Sequence, residues 1–122
     1  MRFGYFITFL SSLFGGVPSG SYCGSKTVLG ETIGAVVHFQ DTQFLDFAIS
    51  GDFVLDCHDE VYYQSSVDIV LRDIGADGDC AHDALADHKI TLQHITYDSA
   101  SNTIDVAVKY SVMQLSIPLS VC

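Results

Sequence analysis

Residues 90–110 read ITLQHITYDSASNTIDVAVKY. Two alternating runs flank a polar turn. In Thr103–Tyr110, Ile104, Val106, Val108 and Tyr110 fall on one side, and Thr103, Asp105, Ala107 and Lys109 on the other. Ile90–Tyr97 alternates as well, and Asp98–Asn102 between them is polar. Side chains of a strand point to opposite faces with period two. The stretch therefore predicts an antiparallel hairpin, and its one-sided pattern predicts a sheet with one buried face.

The same period extends upstream. In Glu31–Gln40, Ile33, Ala35, Val37 and Phe39 share a face, and in Gln43–Ser50, Leu45, Phe47 and Ile49 do. Ser50-Gly51-Asp52 reads as a tight turn and Phe53–Cys57 as the returning strand. His58-Asp59-Glu60 reads as a turn. Val67–Arg72 alternates, and Val61–Ser65 either begins that strand or forms a separate short one. Met113–Cys122 gives a last strand, with Pro118 marking an edge or a bulge. Asp73–Asp79, DIGADGD, is a loop by composition. Cys80–Lys89 is the one helix candidate, centred on about 80–88, with Asp79 as its N-cap. The expected fold is mainly β: an antiparallel meander barrel or a two-layer sandwich of about seven or eight short strands with one short helix. The connection Asp73–Lys89 is too long for a simple turn, which makes it the expected place for a binding or lid role.

The first 19 residues, MRFGYFITFLSSLFGGVPS, differ from the rest. One charge, Arg2, precedes an apolar stretch, and small residues follow, the pattern of a secretory signal peptide cut after Ser19 or Gly20. The apolar run falls short of the roughly 20 residues a spanning helix needs. The expected organisation is a leader, 1–19, and one secreted domain, 20–122. The full chain carries 15 acidic and 5 basic side chains, a formal charge of −10. That balance disfavours nucleic acid and anionic lipid. It favours a protein partner with a basic surface.

The four cysteines, Cys23, Cys57, Cys80 and Cys122, all follow the expected cut. An even count in a short secreted chain reads as two disulfides. Of the three pairings, Cys23 with Cys122 would staple the two ends of the domain and leave Cys57 with Cys80. No CxxC is present, and the spacing does not suit zinc. The single Asn, Asn102, is followed by Thr103-Ile104, so no N-glycosylation sequon exists.

Candidate sites are few. Asp73, Asp77, Asp79 and Asp83 crowd a Gly-containing loop, and carboxylate oxygens in such a loop suit Ca²⁺. Gly75 and Ala84 stand where an EF-hand needs ligands, so the alternative is a solvated turn with Asp79 capping a helix. His82 and His88, six residues apart on the helix candidate, face different directions; with Tyr62 and Tyr63 they are candidate contact residues for a partner. No GxSxG, HExxH or spare cysteine is present, and catalytic residues are assigned to none. No organic cofactor is expected.

Gly20-Ser21-Tyr22 resembles the Gly-x-Trp start of lipocalins, with Tyr22 in place of Trp and no Arg near the last strand. That resemblance implies a barrel carrying a small apolar ligand. Tyr22-Cys23-Gly24, Cys57-x-x-Glu60-x-Tyr62, Gly78-Asp79-Cys80, Asn102-x-Ile104-x-Val106 and Cys122 are similar to small secreted cysteine-containing proteins of perkinsid-type alveolate parasites. This resemblance implies secretion and two bridges, and it brings no site residues. The expected function is non-enzymatic binding through an acidic surface. A lipocalin-like carrier and a secreted hydrolase are the alternatives. A cavity of several hundred Å³ marks the carrier. A filled core with an exposed apolar patch marks the interaction module. A cleft of converging His and carboxylate groups marks the hydrolase.

Overall fold

The computed structural model describes residues 16–51, 53–110 and 112–122. Most of the expected leader, and Asp52 of the expected turn, lie outside the described residues. Eight strands run β1 (Gly20–Val28), β2 (Glu31–Phe39), β3 (Phe44–Ser50), β4 (Leu55–Ser65), β5 (Asp68–Leu71), β6 (Ile90–Asp98), β7 (Thr103–Tyr110) and β8 (Met113–Val121). One helix, α1 (Cys80–Asp87), lies between β5 and β6. Each strand pairs antiparallel with the next, and β8 returns to β1, so the sheet closes as a barrel in sequence order. The barrel, not the sandwich, is the fold.

The hairpin at 90–110 forms as its pattern dictates. Ile104 pairs with Tyr97 and Val108 with Leu92, and the buried face of β7 includes Ile104, Val106 and Val108. On β3 the buried residues are Leu45, Phe47 and Ile49, and on β2 they are Ala35, Val37 and Phe39. These inward rows meet in one core. An eight-stranded barrel is just wide enough for its side chains to fill it, and here they do.

Three elements differ from the sequence reading. β1 is a full strand, paired with β2 along its whole length, although Tyr22 is its only buried residue. β4 is one strand of 11 residues. His58-Asp59-Glu60 is not a turn: Asp59 takes φ 59° and the register against β3 slips between Leu45 and Phe47, which is a β-bulge. The extra residue restores the inward phase, so that Cys57, Glu60 and Tyr62 are all buried. α1 stops at Asp87, short of the expected Lys89, which instead adopts φ 56°.

Both disulfides are present, Cys23–Cys122 and Cys57–Cys80. The first joins β1 to the end of β8, where hydrogen-bonded register covers only Tyr22 with Val121 and Cys23 with Ser120. The second ties the first residue of α1 to β4. That tie matters because β5 and β6 register at a single pair, Asp68 with Thr96. Beyond that pair the strands diverge. Ala81 and Leu85 of α1 are buried against the core there and complete the wall.

Candidate functional site

Antiparallel order places the turns alternately at two ends of the barrel. The end holding turns 40–43, 66–67 and 99–102 is shut by aromatic rings. Tyr22 packs edge-on to Phe39 and Tyr97 at 5.8 and 6.3 Å between centroids, and Phe39 packs on Tyr62 at 5.3 Å. Such edge-to-face contacts suit the ring quadrupoles. The hydroxyls of Tyr22 and Tyr97 both donate to Asn102 Oδ1, at 2.7 and 3.0 Å, and Tyr62 donates to the Asp41 carbonyl at 2.7 Å. Burial pushes the Tyr62 and Tyr97 hydroxyls above their ordinary pKa, with the Asp41 charge adding to the first. Gln64 Nε2 donates to the Gly16 carbonyl at 3.1 Å, so the chain leading into β1 also crosses this end.

The other end holds turn 29–30, the β3–β4 and β7–β8 connections and both ends of the 72–89 connection. It is apolar. A cavity of about 60 Å³ opens there, lined mostly by apolar side chains that include Val28, Leu29, Phe53, Val108, Tyr110 and Met113, with Glu31 among them. The Phe53 ring lies against His88 at 5.2 Å and Tyr110 at 6.2 Å. Above the cavity the turn tips carry apolar side chains into solvent: Leu29 is 86% exposed, Val112 92% and Val54 69%. Leu29 and Gly30 take φ 54° and 84°, the left-handed pair of a tight hairpin turn. Asn or Asp is the usual first residue of such a pair, since left-handed backbone crowds the Cβ of an L-residue and a short polar side chain offsets that by bonding locally.

The acidic connection is organised differently from a single cation site. Asp73 pairs with Arg72 at 3.0 Å, and that hydrogen-bonded pair holds its carboxyl below the ordinary value. Asp79 caps α1, accepting from the His82 amide at 3.1 Å. Asp77 and Asp83 lie with His82 in one small group, their ligand-type atoms within 4.8 Å of one another. The four carboxylates named from sequence are thus divided among a salt bridge, a helix cap and a histidine, and do not converge. His82 Nδ1 contacts the Ile74 carbonyl at 2.7 Å and Nε2 contacts Asp77 at 3.2 Å. The Ile74 carbonyl, then Asp77 and Asp83, raise its pKa against the opposing effect of burial.

Of the candidate contact residues, Tyr62 points into the barrel, which corrects its expected surface role; Tyr63 is exposed on the wall. His82 pins the loop, and His88 stacks on Phe53 at the apolar end. Sequence reasoning gave no role to Leu29 or Val112 and placed Glu60 in a turn. An apolar residue in a two-residue turn, Leu29-Gly30, is a readable signal for the first. Glu60 was masked by the bulge. It is the one buried charged side chain among the described residues, at 4% exposure, and its Oε1 has no hydrogen-bond partner among them. Its carboxyl is hydrogen-bonded to that of Asp79 and receives the Ala81 amide. Burial first, then the Asp79 carboxyl and the Asp73 charge, push Glu60 up to about 7.

No family model, curated protein or solved structure matches the chain.

Proposed function

We propose that this chain is a secreted, non-enzymatic binding protein whose working surface is the apolar end of the barrel. The observation that carries this reading is the pairing of a filled interior with apolar turn tips gathered around one small cavity. Exposed apolar groups concentrated at one place mark an interaction surface. The leader-like N-terminus and the two disulfides support an extracellular setting. At about 60 Å³ the cavity is far below the roughly 300 Å³ of an ordinary ligand pocket. It accommodates the tip of a side chain or of a hydrocarbon chain, which favours docking over carriage of a whole ligand. The basic partner expected from composition has its best surface at the closed end, where Asp41, Asp46, Asp59 and Asp98 lie.

Titration with a small apolar probe such as benzene, followed by amide and methyl NMR, tests the reading. Shifts confined to Val28, Ile90, Val108, Tyr110, Met113 and their neighbours are expected. Shifts spread over Tyr63 and the acidic connection, with none at the end cavity, would refute it.

A further inference from the structure

Resting on that reading, we propose that the apolar end docks on the surface of a zwitterionic phospholipid bilayer. Leu29 and Val112 enter the acyl region, and the lysines behind them meet the headgroup phosphates.

The tips have the wrong shape for a cleft. At 86% and 92% exposure, Leu29 and Val112 stand out from separate turns and touch little of their own protein. Protruding apolar points suit a deformable medium. Leu29 also occupies a left-handed position that costs folding energy, and its side chain gains little burial in return.

Charge placement identifies the medium. The chain has three lysines, Lys26, Lys89 and Lys109, and all are exposed at this end. Lys26 stands three residues behind Leu29, and Lys109 three behind Val112. At about 3.3 Å per residue, on strands tilted by about 40°, the ammonium stems start roughly 7–8 Å below the tips. An interfacial element buries its apolar face about 5–10 Å deep, which sets the lysines at headgroup level, where long cationic side chains extend to water and phosphate. Tyr110 lies at the same level, as interfacial aromatics do.

Glu31, Asp56 and Asp87 are exposed at this end too. Among the described residues these three acids stand against the three lysines, and Arg72 and Asp73 pair with each other, so the rim is nearly neutral on a chain of −10. The acids of the closed end face away. A neutral rim on an acidic body matches a bilayer that is itself neutral overall, and an anionic surface would repel the body.

Flotation with phosphatidylcholine vesicles tests this, comparing the disulfide-bonded chain with its Leu29→Asn/Val112→Ser variant. Both carry the same N-terminal segment, so its contribution cancels. Asn suits the left-handed position at 29, so the variant is expected to melt no lower than the parent. The parent should float, and the variant should partition at least about tenfold more weakly, as expected for losing two buried aliphatic side chains. Replacing a third of the lipid with phosphatidylserine should weaken binding. Equal flotation of parent and variant, or no flotation of the parent, would overturn the proposal. Stronger binding to phosphatidylserine would overturn the choice of lipid. A parent that stays off vesicles yet binds benzene at the end cavity would leave the broader binding reading standing and point to a protein occupant.

Discussion

Asn102 gives one side-chain oxygen to two tyrosine hydroxyls, from Tyr22 and Tyr97, while its own backbone sits at φ 54°. Both features suit Asn, which tolerates left-handed backbone and carries a short acceptor. Asn102→Ala removes both and should destabilise the domain by about 2 kcal/mol in urea unfolding. Asn102→Gly keeps the backbone freedom and should cost less than the Ala change; an equal loss would show that the hydroxyl contacts carry the whole effect. Leu29 is the inverse case. Leu29→Asn in the same assay should gain roughly 0.5–1 kcal/mol, because turn chemistry then agrees with the backbone.

At the scale of elements, the connection 72–89 is held by contacts that need protons. The buried Glu60 carboxyl is hydrogen-bonded to the Asp79 carboxyl. Glu60 has an ordinary value of 4.5 and is raised to about 7 in the folded chain. Its stabilising contribution is therefore complete below pH 4.5 and is lost as pH rises toward 7. His82 acts in the same direction: its raised pKa gives a contribution present below 6.5 and lost above its folded value. The melting temperature should fall between pH 5 and 8, by about 5 °C or more. Glu60→Gln should remove much of that slope; an unchanged slope would show that the Glu60 carboxyl does not set it. Calcium should leave the melt nearly unmoved, because the acidic groups of this segment have separate partners; a large rise on addition would show them regrouping around the ion. Much of this architecture was legible in the sequence. Period-two rows announced β2, β3, β6, β7 and β8, and Asp79 announced the helix start. The bulge at Asp59 was not legible, because a polar triplet reads as a turn until its strand partners are known. Glu60 was hidden with it. The apolar end was legible only in part: Leu29-Gly30 breaks a local rule, yet only closure of the barrel brings that turn beside Tyr110 and Met113.

For the whole molecule, closure rests on a short seam. β1 and β8 share two register pairs, and Gly24 passes so near Pro118 that a Cβ would lie 2.1 Å from its carbonyl oxygen. Gly24→Ala should push the seam apart and lower the melting temperature by well over 5 °C, since the obstacle is backbone and cannot rotate away. Reduction of the two disulfides should also lower the melt markedly, each bridge contributing about 2–4 kcal/mol; a melt unchanged by dithiothreitol would show that hydrogen bonding alone closes the ring. Cys23–Cys122 has a mechanical consequence as well. Chain continuing from either residue leaves the barrel at one seam, across a covalent bond that spans 99 residues of sequence. A pull applied through both sides is borne by sulfur and not by the strand ladders. Held in this way the barrel does not unravel; it hangs as a closed link, and only a reductant turns it back into an extensible chain.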